Sequence, residues 1–148
     1  MRDKLVLLIC LLTAAAAPAL HADGPAVSAT HVWVHETSPG SGEMLGYMTL
    51  ENLTGQSLAL EQIESPDFAS VMLHSGASSQ GSNQELPKAG LSIAAHQSLH
   101  LAPDQSYLVL TKPAKKLYEG DLVTLMLSFS DGSSLTIIAP VRQEPPGN

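Results

Sequence analysis

The residues of this chain that could do chemistry are its histidines and methionines. The sequence contains six histidines and five methionines but a single cysteine, Cys10. Thioether sulfur and neutral imidazole are the ligands that a soft ion such as Cu(I) prefers. Met72 and His74 stand two positions apart, so on a strand they would point to the same face, roughly 6.6 Å apart along it. This pair is therefore one candidate for a metal site.

The other histidine spacings are less favourable for metal binding. His31 with His35, and His96 with His100, are each four positions apart. On a helix this spacing lets two imidazoles share an ion, but on a strand it separates them by about 13 Å along the chain. We therefore expect neither pair to chelate a metal by itself.

Composition and motifs argue against several classes of function. The seven basic residues are outnumbered by fourteen acidic ones, whereas a phosphate-backbone footprint needs a basic face, so we expect no nucleic-acid partner. The sequence contains no G-x-S-x-G elbow and no H-E-x-x-H motif. Paired carboxylates such as Glu61 and Glu64 are typical of solvated strand ends. We therefore expect a protein that is not an enzyme.

The N-terminal segment has the pattern of a secretory signal peptide. Two basic residues precede the apolar run Leu5–Ala16, and small residues follow it. The pattern predicts a signal peptide over residues 1–22, with cleavage after Ala19 or Ala22 both compatible. The run is too short for a membrane span, so we expect no span in the mature chain and a periplasmic or secreted location.

Cys10 lies inside this predicted signal peptide. Its removal would leave a mature chain with no disulfide framework and no thiolate metal site. Ile9 argues against a lipid anchor at Cys10, because a lipidated cysteine normally follows a small residue.

The rest of the chain must position the candidate residues, and its pattern is that of β-strands. From residue 26 onward apolar and polar residues alternate, and helical periodicity is absent apart from a single turn expected within Pro113–Glu119. The clearest element is a hairpin, in which Asp131 and Gly132 separate two alternating runs. Many short strands with Gly and Pro turns predict an all-β Greek-key sandwich or barrel over residues 25–142, with a loose tail at 143–148.

Several short segments resemble, in order and spacing, the periplasmic copper chaperones of the PCu(A)C family. Trp33 matches a tryptophan of the family's first strand, and Gly46–Leu50 (GYMTL) matches its A-Y-M-T-L segment. Val71–His74 (VMLH) matches the V-x-L run that precedes its ligand histidine. The resemblance covers essentially the whole mature chain. It implies a cupredoxin-like β-fold and an exported protein that carries Cu(I) towards the copper centre of cytochrome oxidase.

The resemblance also implies a metal site, because the family spaces its ligands as His, ten residues, Met, twenty-one residues, His, one residue, Met. From His74 these steps land on Glu85, Tyr107 and Val109. We expect these four residues to cluster in space. Val109 has no donor atom, a neutral phenol is a poor Cu(I) ligand, and a carboxylate is a hard one. A tight Cu(I) site of the family's geometry is therefore not expected.

Two interpretations of the metal site and two candidate functions follow. His74, Glu85 and Tyr107 form a nitrogen–oxygen set that would favour Zn(II) or Cu(II) over Cu(I). Met48 or Met72 could instead replace the missing sulfur ligands, although both also fit simple packing. The first function to consider is accordingly an exported copper-chaperone-like protein with a degenerate or altered metal site. The alternative is a metal-free binding or scaffold module that docks to a copper chaperone or an oxidase-assembly protein.

Overall fold

A computed structural model describes residues 24–38, 42–75, 83–84 and 90–145. The predicted signal peptide, Glu85 and the end of the tail lie outside these ranges. The described residues form strands and turns and no helix, so the helical turn expected within Pro113–Glu119 is wrong, and bends and a turn take its place. The strands are β1 Val27–His35, β2 Glu43–Asn52, β3 Leu58–Glu64, β4 Phe68–Ser75, β5 Asn83–Gln84, β6 Leu91–Ile93, β7 Ser98–Leu101, β8 Ser106–Pro113, β9 Leu122–Phe129 and β10 Ser134–Arg142.

The strands of the described ranges form one curled sheet in the order β5-β4-β8-β7-β2-β1-β10-β9-β3-β6, with an additional β8–β2 pairing. Most neighbours are antiparallel, and β1 and β10 join the two halves as a parallel pair in which Val34 lies opposite Val141. The two halves bury their apolar faces against each other, as the sides of a sandwich do. The prediction of an all-β, cupredoxin-like fold is confirmed.

The core is made by alternate residues of the central strands. Leu50 from β2, Leu110 from β8 and Leu125 from β9 have no exposed surface. Met44 and Met48 lie on the same inward face of β2 and are each only 1% exposed. Burial of such a side chain stabilises the fold by roughly 1.5–3 kcal/mol. These two methionines are therefore core residues, as the packing interpretation of Met48 predicted.

The β9–β10 hairpin has the turn that its sequence predicts. Gly132 takes a positive φ of 82°, which glycine adopts at no steric cost. The Phe129 amide donates to the Ser133 carbonyl at 3.0 Å. The Asp131 carboxylate accepts hydrogen bonds from the Ser133 amide at 2.9 Å and the Ser133 hydroxyl at 2.6 Å, and these bonds lower the pKa of Asp131.

A bulge in β1 decides which of its residues face the core. Thr30 lies opposite Thr49 but Trp33 lies opposite Tyr47, so β1 contains one more residue than β2 between these pairs. His31, inside the bulge, has a positive φ of 51°. The extra residue reverses the alternation, because a one-residue shift exchanges the two faces of a strand. Val34 thus points to the core, and Trp33 lies on the opposite, outer face beside Tyr47.

Candidate functional site

Four aromatic rings lie side by side across the outer face of the sheet, and we call them the aromatic row: His74, Tyr107, Tyr47 and Trp33. His74 on β4 is the direct partner of Tyr107 on β8, and their rings stack with centroids 4.7 Å apart and planes inclined by 27°. Tyr107 and Tyr47 have ring centroids 6.2 Å apart. Tyr47 and Trp33 are 4.7 Å apart. Pairs of this kind contribute roughly 0.5–1.5 kcal/mol beyond the area that they bury.

The two ends of the row differ in their exposure to solvent. Trp33 and Tyr47 are 7% and 5% exposed, whereas Tyr107 and His74 are partly exposed. Burial, and then the charge of Tyr107, raise the pKa of Tyr47 above that of an ordinary tyrosine. The accessible end of the row is therefore its His74–Tyr107 end, and this is where a ligand could reach it.

His35 extends the row at its buried end. Its ring meets that of Trp33 edge to face, with centroids 5.7 Å apart and planes inclined by 75°. Its Nδ1 atom is buried and finds no hydrogen-bond partner among the described residues. The edge-to-face contact makes His35 a packing neighbour of Trp33.

Two of the predicted site residues are brought into direct contact, and a third lies beside them. His74 stacks on Tyr107, although the two residues are thirty-three positions apart in the sequence. Val109 follows two positions later on β8, opposite Met72, and is 2% exposed. Glu85 lies outside the described residues. The structure therefore places His74, Tyr107 and Val109 together, while the role of His74, Glu85 and Tyr107 as metal ligands stays a prediction.

The described residues at this end of the row differ from the Cu(I) ligand set that the family resemblance implies. Val109 offers no donor, and the Tyr107 ring lies almost parallel to the His74 imidazole at 4.7 Å. Met44 and Met48 are buried on the inward face of β2 and cannot supply sulfur to the outer face. Met72 is partly exposed and shares the outer face of β4 with His74.

Within the described ranges no group of three or more His, Cys, Asp or Glu side chains could hold a metal ion. A nitrogen–oxygen site at His74 would therefore need two further residues. Tyr107 is not one of these four ligand types, and Glu85 lies outside the described ranges.

Three other histidines of the described residues lie on β1, on β7 and in the turn before β7. His96 is exposed in the turn before β7, with a positive φ of 56°. His100 lies opposite Thr49, whose hydroxyl is 3.2 Å from its Nδ1, and His31 is 3.3 Å from the hydroxyl of Thr30. The Nδ1 atoms of His31 and His100 are thus each within hydrogen-bond distance of a threonine hydroxyl at the surface.

The sequence did not reveal the aromatic row itself. Tyr47 belongs to the GYMTL segment and Trp33 is the only tryptophan, yet neither residue falls on the ligand spacing that leads from His74 to Glu85, Tyr107 and Val109. The signal that could have revealed the row is the pairing of the strands. A one-residue bulge in β1 sets that pairing, and alternation alone does not indicate its position.

Comparison with solved structures defines the class of fold. The copper-bound PCuAC domain from PmoF2 superposes with a TM-score of 0.66 at 22% identity over 80% of this chain and 94% of that domain. The apo PCuAC domain from PmoF1 gives 0.67 at 18% identity, over 82% and 98%. The Cu(I) form of DR1885 from Deinococcus radiodurans gives 0.61 at 26% identity, over 81% and 78%. The fold is that of the PCuAC copper-chaperone domains, and the resemblance drawn from the sequence is confirmed.

Comparison at the level of sequence shows the family to which the chain belongs. A profile of the LpqE-like family, described as a lipoprotein family, matches residues 27–141, and the chain belongs to this family. The protein named lipoprotein Lxx21020 in Leifsonia xyli subsp. xyli is 30% identical over 126 residues, which are 84% of this chain and 74% of that protein. In the part of the chain that the structure describes, no helix is long and apolar enough to cross a membrane.

Proposed function

We propose that this protein is an exported, copper-chaperone-like protein whose metal site is altered, with His74 as the principal ligand. The fold shared with a copper-bound PCuAC domain and with Cu(I)-DR1885 supports a role in copper handling. The observation that carries the proposal is the stack of His74 on Tyr107 beside a buried Val109. The chain keeps a PCu(A)C-like fold, but Glu85 and Val109 occupy the positions that match the family's two methionine ligands. Delivery towards cytochrome oxidase is the role that the family resemblance gives such a protein.

The chemistry of the altered site favours a divalent ion. An imidazole, a phenolate and a carboxylate form a nitrogen–oxygen set that suits Cu(II) or Zn(II) better than Cu(I). Tyr107 would contribute only after losing its proton, which a bound divalent ion promotes by lowering the pKa of the phenol. Because Tyr107 already lies against His74, ligation by both needs a local rotation of the rings and no change in strand pairing.

We also propose that the protein is exported and that it is not an enzyme. Residues 1–22 have the pattern of a secretory signal, and the lipoprotein description of the family supports export. The relatives of known structure are copper-chaperone domains, which supports a carrier or binding protein in preference to an enzyme. Its partner would be another protein of the copper pathway, either a copper chaperone or an oxidase-assembly protein.

A metal-free binding module is the second candidate function. The full burial of Val109 favours it, because an aliphatic side chain closes the position where the family has its second methionine. The stacked Tyr107 ring also covers one face of the His74 imidazole. In this case the fold would serve only to present surfaces to a protein partner, and function would lie in those surfaces.

Calorimetric titration with Zn(II) and with Cu(II) separates the two functions. The altered-site proposal expects micromolar binding, equivalent to roughly 8 kcal/mol. Binding should be abolished by His74→Ala, weakened by Glu85→Gln and left unchanged by His96→Ala, a matched control in an exposed turn. Affinity should fall as the pH is lowered, because a protonated imidazole cannot bind a metal. Absence of binding at neutral pH, or binding that survives His74→Ala, would leave the metal-free module.

A further inference from the structure

The aromatic row is a continuous line of rings across the sheet. It takes one ring from each of four strands that pair in succession, β4, β8, β2 and β1. His74 lies opposite Tyr107, and Tyr47 lies opposite Trp33. β8 and β2 also pair directly beside the two tyrosines. Because paired strands lie about 4.8 Å apart, each ring of the row meets the next one.

Three of these rings belong to tryptophan and tyrosine, the side chains from which a single electron is most easily removed. The ring centroids of Trp33 and Tyr47 are 4.7 Å apart, and those of Tyr47 and Tyr107 are 6.2 Å apart. Both distances are typical of aromatic rings in contact. Electron transfer slows steeply with distance, so transfer between rings in contact is fast. Trp33, Tyr47 and Tyr107 therefore form a path along which one electron can move.

The members of this path differ in whether they can release a proton. A tyrosine that loses an electron becomes a strong acid, so its oxidation is favoured where the phenolic proton can leave. Tyr107 is partly exposed, and its proton can pass to solvent. Tyr47 is buried, and burial followed by the charge of Tyr107 raises its pKa, so Tyr47 holds its proton. Trp33 is buried as well, and Tyr107 is therefore the member at which the loss of an electron is most favourable.

We propose that the aromatic row carries oxidising equivalents from Trp33 to Tyr107 and thereby protects the buried tryptophan from oxidative damage. A one-electron radical oxidant takes an electron from the Trp33 indole, which becomes a radical cation. One electron then passes from Tyr107 through Tyr47 to the indole, and the phenolic proton of Tyr107 leaves to solvent. The products are an intact Trp33, a neutral phenoxyl radical at Tyr107 and the reduced oxidant. A thiol or ascorbate then restores the phenol by giving up a hydrogen atom.

This activity is separate from the proposed metal site. No step passes through His74 or through a bound ion, so the path operates in the metal-free protein. It also differs from a packing role, because phenylalanine keeps the ring of a tyrosine but is far harder to oxidise. Replacement of tyrosine by phenylalanine therefore distinguishes electron transfer from packing.

The first test is pulse radiolysis of metal-free protein produced from the full-length sequence. Azide radicals oxidise Trp33, the only tryptophan, and transient absorption follows the indole and phenoxyl radicals separately. We expect the Trp33 radical to decay as the phenoxyl radical grows, at a rate that does not depend on protein concentration. Decay without growth of a phenoxyl radical, or a rate proportional to protein concentration, would overturn the proposal.

Three single variants then locate the path. Tyr107→Phe should abolish the concentration-independent growth of the phenoxyl radical, because the end point of the path is lost. Tyr47→Phe should slow this growth, because a phenyl ring relays an electron less readily than a phenol does. Tyr118→Phe is the matched control, since Tyr118 is exposed in a loop outside the row, and the rate should stay unchanged. Equal rates in Tyr47→Phe and wild type, or a loss in Tyr118→Phe equal to that in Tyr107→Phe, would refute transfer along the row.

Mapping of the oxidation products tests the protective role. After a low dose of azide radicals in the presence of a spin trap, peptide mass spectrometry should find the trap on Tyr107 and an unmodified Trp33 in wild type. Modification of Trp33 should rise in Tyr107→Phe, whereas Tyr118→Phe should resemble wild type. If Trp33 is modified to the same extent in wild type and in Tyr107→Phe, the row does not protect it.

Discussion

Replacement of Tyr47 by alanine should destabilise the fold strongly, because Tyr47 is the central ring of the aromatic row. Its side chain is 5% exposed and contacts Trp33 at 4.7 Å and Tyr107 at 6.2 Å between ring centroids. Truncation of a buried aromatic residue to alanine costs about 3–5 kcal/mol. We therefore expect Tyr47→Ala to reduce the free energy of unfolding by about 4 kcal/mol. For a domain of this size that corresponds to a fall in Tm of about 12 °C.

The assay is denaturant unfolding followed by the fluorescence of Trp33, the only tryptophan. Tyr118→Ala is the matched control, since Tyr118 is 51% exposed in a loop, and we expect it to change the stability by less than about 0.5 kcal/mol. Tyr47→Phe keeps the ring and should cost about 1 kcal/mol or less. If Tyr47→Ala lowers the free energy of unfolding by no more than Tyr118→Ala does, the aromatic row does not stabilise the fold as we expect.

Three further predictions concern the ionisation of Tyr47, the buried Asn52 and metal binding near His74. The pKa of Tyr47 is raised in the folded protein, so the contribution of its protonated form to stability should be constant below about pH 10 and be lost as the pH rises from there towards the raised pKa. The free energy of unfolding should therefore fall less at alkaline pH in Tyr47→Phe than in wild type. Asn52 has no exposed surface and its amide donates to the carbonyls of Gln56, Ile93 and Ala94. Thermal unfolding of Asn52→Ala should therefore show a loss of about 3 kcal/mol, as for other buried polar groups left unsatisfied. Zn(II) or Cu(II) bound near His74 should change the Trp33 emission less in Tyr47→Ala than in wild type, and an equal change in both would contradict transmission along the row.

The class of fold could be predicted from the sequence because its signals are local. The alternation in β9 and β10 and the Asp131–Gly132 turn define a hairpin without knowledge of any other strand. The PCu(A)C resemblance supplied the order of the remaining elements. The bulge in β1 could not be predicted, because nothing in the residue types of Thr30–Trp33 indicates where an extra residue is inserted. As a consequence the outer-face position of Trp33 became clear only from the pairing with Tyr47.

The candidate site could be predicted in part. The ligand spacing of the related family led from His74 to Tyr107 and Val109, and the strand pairing places these three together. Their stacking and burial depend on neighbours from β2 and β8 that are distant in sequence, so spacing alone does not provide them.

Val109 shows how tightly this region is packed. It lies between Leu45 of β2 and Met72 of β4 and is 2% exposed. Introduction of a methionine at this position adds volume to a filled space, which costs typically 1–3 kcal/mol. A variant that restores the family's ligands should therefore be less stable than wild type, and its fold must be verified by circular dichroism before any metal titration is interpreted.

The altered metal site is tested most directly by a competition titration in which the protein and a chromophoric chelator compete for Cu(I). Wild type should yield its Cu(I) to the chelator, since of the four family ligand positions only His74 keeps its ligand type. The variant Glu85→Met with Tyr107→His and Val109→Met should retain Cu(I) against the same competitor, because thioether and imidazole ligands are restored. Retention of Cu(I) by wild type, lost on Met72→Leu, would contradict the account and show that sulfur from β4 completes a working Cu(I) site.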